Sequence, residues 1–268
     1  MATMKHLSLM LIAAVPMVLN APSAAQAFSL VSTSTGQVGA IDPATGSFTH
    51  LTTGPSFLDI ALSNEGNLFG VSSKLYKFDQ SLGLFSEIGN VGASLNALGF
   101  STNNILYGAE GSNFYTVDIL TGSASLIANI PGFLSAGDIV FDPSNNRFLA
   151  TSSDTVSDSL FSIDITGKAN KIGNIGFRSV LGLFFDNGTL FGYTGDQKQL
   201  IINPVTGLGT FDKDVTGASG NLYGAASLPS TSVPEPTTIL GTLAFSTFAV
   251  RWRMKRKQQQ KLLDSKVA

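Results

Sequence analysis

The chain contains no cysteine among its 268 residues. That absence excludes disulfide bonds, thiolate metal sites and a cysteine nucleophile. Charged residues are also scarce, at 13%, whereas hydrophobic residues make up 43% and there are 28 glycines. Such a composition suits a well-packed all-β domain better than a disordered or coiled-coil chain. A domain of this kind must hold together through core packing and hydrogen-bonded sheet alone.

Positive charge is sparse in the body of the chain. Residues 28–250 contain eight Lys and Arg against 17 Asp and Glu, a net charge of −9, and seven of the 16 basic residues lie in the last 18 positions. Phosphate binding depends on clustered Lys and Arg. The body is therefore expected to repel anionic lipid, and no nucleic acid is expected as a partner. The sequence also lacks a phosphate loop, a Gly-x-Ser-x-Gly elbow, a His-Glu-x-x-His helix and a dinucleotide fingerprint.

The N-terminus has the pattern of a secretory signal. Lys5 precedes an apolar run over residues 7–19, and a stretch of small residues follows over 21–27. Ala25 and Ala27 stand in the small-residue positions before a cut, so cleavage is predicted before Phe28 and the signal peptide covers residues 1–27. The alternative is a retained anchor, but the apolar run is interrupted by Pro16 and is shorter than the roughly 20 residues that span a bilayer.

The C-terminus carries a second targeting pattern in three consecutive parts. A linker over 228–236 ends in a proline-rich motif, an apolar stretch follows over 237–250, and a basic cluster comes next. The motif residues are Val233, Pro234, Glu235 and Pro236, and the basic residues are Arg251, Arg253, Lys255, Arg256 and Lys257. This order resembles the PEP-CTERM sorting domain. The resemblance implies recognition by an exosortase, a Gram-negative type of envelope, and an association with exopolysaccharide or biofilm matrix.

The charge distribution independently favours a membrane topology. A basic cluster just beyond an apolar stretch keeps that flank in the cytoplasm, which leaves the preceding domain outside. We expect a transmembrane sorting helix over 237–254 and a basic cytoplasmic tail over 255–268. The apolar part has only about 14 residues against the roughly 20 usually needed, so Trp252 and snorkelling basic side chains would have to contribute. The alternative is an ordinary short amphipathic tail.

Between the two targeting patterns, residues 28–227 contain an internal repeat. Its first landmark is an apolar strand that ends in Asp or Asn before a turn, and the five turn residues are spaced 37, 39, 46 and 39 apart: Asp42, Asp79, Asp118, Asp164 and Asn203. A second landmark of the Leu-Phe-Gly type begins at Leu68, Leu106, Phe148, Leu190 and Leu222. A period near 40 residues indicates repeated supersecondary units.

Each unit has the pattern of four short antiparallel strands, which is one propeller blade. The chain opens in the middle of a unit at Phe28, and its last unit stops after residues 221–226. We therefore predict that the C-terminal strand becomes the innermost strand of a blade whose other strands come from residues 28–53. The predicted fold is an all-β, five-bladed β-propeller. An open solenoid is the alternative, and a six-bladed ring would need about 40 more residues.

Two sets of residues are candidates for chemistry. His50 is the only histidine outside the signal region, but its repeat equivalents are Glu87, Leu126 and Lys171, so the position has the pattern of a solvated outer strand. The inner strands carry Asp59, Ala97, Asp138 and Gly182 at a second equivalent position. Asp59 and Asp138 could thus place two carboxylates near the axis, competent for a hard cation such as calcium. Alternatively, they cap backbone amides or bind water in the channel.

The turn acids have a simpler interpretation. An Asp at the start of a turn accepts hydrogen bonds from amides two residues on, which explains its recurrence without a ligand. With no recognisable catalytic set and no cofactor predicted, we expect a noncatalytic interaction scaffold on the cell surface or in the extracellular matrix, a transient inner-membrane anchor, and an extracellular polysaccharide partner. The competing prediction is a metal-assisted propeller hydrolase or lactonase that uses the channel carboxylates.

Overall fold

The computed structural model describes residues 28–186 and 188–226, and within these ranges the chain forms β-strands and turns but no helix. The strands, in chain order, are β1 Ser29–Thr33, β2 Gln37–Ile41, β3 Phe48–Thr53, β4 Asp59–Leu62, β5 Leu68–Val71, β6 Lys74–Asp79, β7 Leu84–Asn90, β8 Ala97–Phe100, β9 Leu106–Glu110, β10 Asn113–Val117, β11 Ala124–Asn129, β12 Ser135–Asp142, β13 Arg147–Ser152, β14 Ser159–Ile163, β15 Ala169–Asn174, β16 Val180–Asp186, β17 Thr189–Thr194, β18 Lys198–Ile202, β19 Gly209–Asp214 and β20 Leu222–Ala226.

The strands form five separate antiparallel sheets of four. Four sheets take consecutive strands, β4 to β7, β8 to β11, β12 to β15 and β16 to β19, and the fifth has the order β20-β1-β2-β3. The inner strands β4, β8, β12, β16 and β20 contact one another around the ring. This arrangement is a five-bladed β-propeller, which confirms the predicted fold class and blade number.

Strand burial follows the position within each blade. The inner strands β4 and β8 are buried throughout, whereas the outer strands β11, β15 and β19 are exposed or half-buried throughout. An apolar run buried on both faces has no period-2 alternation. The outer strands face solvent over most of their length, as expected for the rim of a blade.

The ring closes by pairing the two ends of the body. Leu30 pairs with Ala226 and Thr33 with Leu222, so β20 is held as the inner strand beside β1, nearly 200 residues away in sequence. This pairing confirms the closure predicted from the incomplete first and last units. It also rules out the open solenoid, because the first blade has no free inner edge.

The hydrophobic core is divided into five clusters that each lie between two adjacent blades. The cluster of the third and fourth blades in chain order, for example, combines Tyr107 and Phe114 with Phe141 and Phe148. Tyr107 stacks on Phe114 at 5.4 Å between ring centroids, and Phe148 packs edge-on against Phe141 at 4.9 Å. Aromatic side chains of this kind dominate core energetics, so each blade depends on its neighbours for burial.

One detail of the predicted repeat is wrong. The tripeptide that begins at Leu222 was predicted to match the Leu-Phe-Gly landmark of the second strand in a blade, but it lies in the inner strand β20. The second strand of that blade is β1. The two strand types have similar sequences here because both are apolar and glycine-containing, and only the pairing with β1 distinguishes them.

In the part of the chain that the structure describes, no helix is long and apolar enough to cross a membrane. Four predicted segments lie outside the described residues: the signal peptide, the linker with its proline-rich motif, the sorting helix and the basic tail.

Candidate functional site on the propeller axis

The five inner strands bring one equivalent residue each to the centre of the ring. These residues are Asp59 on β4, Ala97 on β8, Asp138 on β12, Gly182 on β16 and Gly224 on β20. Both aspartates are fully buried, with 0% of their surface exposed. The prediction that Asp59 and Asp138 lie on inner strands near the axis is therefore confirmed, and the structure adds Gly224 as the fifth member of the layer.

Asp59 uses both of its carboxylate oxygens on backbone amides. Its Oδ1 accepts a hydrogen bond from the Ile60 amide at 2.7 Å, and its Oδ2 accepts one from the Leu98 amide of the next blade at 2.5 Å. Inner strands have no further strand on their axial side, so their amides there need another acceptor. The Asp59 carboxylate supplies it and ties β4 to β8.

Asp138 makes an analogous but uneven set of contacts. Its Oδ2 accepts hydrogen bonds from the Leu183 amide at 2.6 Å and the Ala225 amide at 2.9 Å, which joins β12 to both β16 and β20. Its Oδ1 is buried and has no hydrogen-bond partner among the described residues. The Asp138 carboxylate is thus the less satisfied of the two.

The two glycines of the layer allow close packing around the axis. An added Cβ on Gly224 would lie 1.7 Å from Oδ1 of Asp59 and 2.4 Å from the Asp59 Cα. A Cβ on Gly182 would lie 2.9 Å from the Tyr223 carbonyl oxygen. Gly224 therefore leaves the space that the Asp59 carboxylate occupies, and Gly182 permits the close approach of β20 to β16.

Burial dominates the electrostatics of the pair. It raises the pKa of Asp59 well above the usual range, the negative charge of Asp138 raises it further, and the amides of Leu98 and Ile60 act in the opposite direction. Burial likewise raises the pKa of Asp138, against the amides of Leu183 and Ala225 and the nearby amide of Ile139. Charging a carboxylate away from water is costly unless hydrogen bonds or a counter-charge compensate. The pair consequently holds protons at higher pH than surface aspartates do.

The donor set does not match a metal site. Within residues 28–186 and 188–226, no group of three or more His, Cys, Asp or Glu side chains could hold a metal ion together. Calcium takes six to eight oxygen ligands, whereas three of the four carboxylate oxygens of the pair are already engaged by amides. The structure thus supports the amide-capping interpretation of these aspartates, and the metal site remains a prediction without a sufficient ligand set.

A small cavity lies on the axis beside this layer. It is lined by apolar residues from four inner strands, among them Leu62, Phe100, Phe141 and Ala226, and offers about 10 Å³. A buried water molecule needs roughly this volume and also two to four polar partners. This cavity accordingly has no space for an organic substrate.

His50 lies where the repeat predicted. It is exposed on the outer strand β3, and its ring Nε2 is 3.1 Å from the Thr53 hydroxyl. The equivalent positions Glu87, Leu126 and Lys171 pair with the neighbouring strand at the same irregular register step in their own blades. The position belongs to a β-bulge on the rim, away from the axial aspartates.

The turn acids have the local role that the sequence indicated. The amides two residues on donate to the side chains of Asp42, Asp79, Asp118, Asp164 and Asn203 at 2.8–2.9 Å. Hydrogen bonds from amides and hydroxyls lower the pKa of Asp79, Asp118 and Asp164 below the usual range. The predicted role of these residues in turns is therefore confirmed.

Two buried polar groups were missed from the sequence. Asp158 is 4% exposed, and its Oδ2 accepts a hydrogen bond from the Val180 amide at 2.8 Å. The Tyr193 hydroxyl lies 2.7 Å from the Ser29 hydroxyl, and burial raises the pKa of this phenol. Neither position recurs in the repeats, so no periodic signal pointed to them. Both contacts join segments at blade junctions.

Comparison with known proteins identifies the fold class only. No family model and no curated protein matches the chain. A Bacteroides thetaiotaomicron protein of unknown function superposes with a TM-score of 0.55 at 14% identity, over 77% of this chain and 63% of that one, so this chain spans less than two thirds of its length. A chain of the nidogen/laminin complex superposes with a TM-score of 0.55 at 10% identity, over 74% of this chain and 97% of that one. At these identities the likeness is one of β-propeller fold.

Proposed function

We propose that this protein is an exported, noncatalytic β-propeller that serves as an interaction scaffold on the cell surface or in the extracellular matrix. The observation that carries the proposal is the filled axis. Three of the four axial carboxylate oxygens are bonded to the protein's own amides, and the adjacent cavity has room for about one water molecule. We therefore expect partners to contact the turns and the rim of the propeller and not a central channel.

The sorting signals supply the second part of the proposal. The signal peptide exports the chain, and Pro234, Glu235 and Pro236 present an extended segment to an exosortase-type enzyme. Prolines on both sides of Glu235 remove backbone donors and disfavour helix, which keeps this segment accessible. The apolar stretch and the basic cluster retain the chain in the inner membrane until processing.

The proposed partner is an extracellular polysaccharide. The acidic body argues against nucleic acid and anionic lipid as partners. A glycan array probed with the purified mature protein tests this part. Specific binding to one glycan class supports the proposal, whereas binding to no glycan together with capture of a protein ligand would redirect it to protein recognition.

A metal-assisted hydrolase or lactonase is the second candidate. It is favoured by one observation, the buried Asp138 Oδ1 that lacks a hydrogen-bond partner among the described residues. Metal analysis of the purified protein, together with assays on ester and lactone substrates, separates the two candidates. The scaffold proposal predicts no stoichiometric metal and no hydrolysis. Bound metal and activity that are both lost in an Asp59→Asn, Asp138→Asn double variant, but retained in a His50→Gln control, would overturn it.

A further inference from the structure

Both ends of the described body lie on the same face of the ring. Leu30 pairs with Ala226 in the closing blade, so the start of β1 and the end of β20 are side by side. In the other blades the turns that join the first and second strands occupy the equivalent place. We call the surface formed by Phe28, Ala226 and the turns 63–67, 101–105 and 143–146 the end face.

The contacts between these turns support a common face. The Asn64 side-chain amide donates to the Thr102 carbonyl oxygen at 2.7 Å, and the Asn104 side chain accepts from the Asn64 amide at 3.1 Å. Leu62, Phe100, Phe141 and Ala226, each at or near the end of an inner strand, also line one cavity. The last described residue therefore leaves the ring at the centre of the end face.

The turns between the second and third strands form the opposite face, which we call the far face. Ser73 is one of its exposed residues, in the turn that joins β5 to β6. Strands rise by about 3.3 Å per residue, so the ends of one blade strand lie roughly 15 Å apart. The two faces are thus separate surfaces that a bulky reagent can distinguish.

We propose that the end face is turned toward the lipid bilayer while the chain is anchored, and that the far face is the surface presented to partners. This inference rests on the proposed membrane role of the tail. Residues 227–236 can span at most about 35 Å when fully extended. This segment starts near the centre of the end face and not at its rim, so the tether holds that face nearer the membrane than the far face without requiring the acidic body to bind lipid.

The absence of cysteine allows a direct test in the full-length protein. Ser144→Cys places a thiol on the end face, and Ser73→Cys places one on the far face; both serines are exposed in turns between strands. Each variant is labelled with a bulky, membrane-impermeant maleimide, first in proteoliposomes in which the propeller lies on the outside. The labelling is then repeated in detergent. We expect Ser144→Cys to react several-fold more slowly than Ser73→Cys in membranes and at the same rate in detergent.

The outcomes separate this inference from the proposal beneath it. If both thiols react at equal rates while the protein resists extraction at alkaline pH, the tail anchors the chain but the proposed orientation of the end face is wrong. If alkaline extraction releases the protein, both the proposed membrane anchor and the proposed orientation of the end face are wrong. A second pair, Asn103→Cys on the end face and Ser153→Cys on the far face, repeats the comparison in other blades and detects any local effect of one turn.

Discussion

At the scale of single residues, the axial aspartates differ in how well they are satisfied. Both oxygens of Asp59 accept amide hydrogen bonds. Oδ2 of Asp138 accepts two amide hydrogen bonds, whereas its Oδ1 accepts none within the described residues. A buried acceptor set that is fully used is costly to alter, because each unpaired donor left behind carries its desolvation penalty. The two positions should therefore respond differently to the same substitution.

Asp59→Asn should destabilise the protein more than Asp138→Asn. At Asp59 the new amide nitrogen would face an amide donor, which leaves a buried group unpaired at a cost of about 1–3 kcal/mol. At Asp138 the new nitrogen can occupy the place of Oδ1 while the remaining oxygen keeps both amide contacts. Urea unfolding of the two variants at neutral pH measures the difference. Equal losses would contradict the unequal roles that the contacts indicate.

The raised pKa values also predict a pH dependence. A carboxyl group whose pKa is raised in the folded state contributes stability that is fully present below its unfolded pKa, near 3.9, and is lost as the pH rises through the folded value. The Asp138→Asn variant lacks this loss, so its stability relative to wild type should increase as the pH rises above about 4. The measurement is a series of urea midpoints across pH.

Asp79→Asn is a suitable control for the pH series. The pKa of Asp79 is lowered by hydrogen bonds from Ser81, so its contribution is present above the unfolded pKa and is lost as the pH falls. Its stability relative to wild type should change in the opposite direction. The same slope in both variants would show that the axial pair is not specifically responsible.

At the scale of strands, β20 is the element on which the axial layer depends. Gly224 lies against Asp59, and the Ala225 amide is bonded to Asp138, so this one strand contacts both carboxylates. The strand also closes the first blade through β1. The five residues of β20 therefore both close the ring and leave the space that the Asp59 side chain occupies.

Gly224→Ala should destabilise the ring through overpacking. Its Cβ would overlap Oδ1 of Asp59, and the nearby Asp59 backbone prevents simple relief by a rotamer change. Overpacking in a well-packed interior typically costs about 1–3 kcal/mol. Gly92→Ala is a control, since Gly92 has open space around it, although its φ of 74° adds some backbone strain. Thermal melts should show the larger loss for Gly224→Ala; the reverse order would argue against a tight axis.

Deletion of residues 28–36 should destabilise the whole molecule. It removes β1 and leaves β20 without its partner, which exposes apolar strand edges and opens the ring. Circular dichroism melts are expected to show a large loss of stability or aggregation. A chain truncated after Ser227 is the control and should melt like the mature protein. An unchanged melt after the N-terminal deletion would mean that the first blade is dispensable.

Local features of the fold were predictable from the sequence, but contacts across the ring were not. The Asp42, Asp79 and Asp118 turns follow from chemistry within three residues, and the 40-residue period predicted the blades. The bonds from Asp59 to Leu98 and from Asp138 to Ala225 join residues 39 and 87 apart. Such pairs depend on how blades pack, which no periodic pattern encodes. Gly224 was missed for this reason, because its apolar tripeptide resembles a different strand of the repeat.

At the scale of the whole molecule, the ring is a closed body whose two ends leave one face. The body carries 17 acidic residues against eight basic ones in residues 28–250, whereas the basic residues cluster beyond residue 250. Charge thus separates the acidic propeller from a basic segment proposed to stay at the cytoplasmic side. The proposed function joins these two parts through the motif at Pro234, Glu235 and Pro236.

The central claim, that a sorting enzyme removes the tail from an exported propeller, is tested most directly by following both sides of the motif. One epitope is placed after Ser227 and a second at the C-terminus, and cells are fractionated. In the wild type, the first epitope should reach the surface or matrix without the second. Replacing Pro234, Glu235 and Pro236 by alanine should leave export intact while a species with both epitopes accumulates in the inner membrane. If the alanine variant loses its C-terminal epitope at the normal rate, the motif does not direct processing and the account is contradicted.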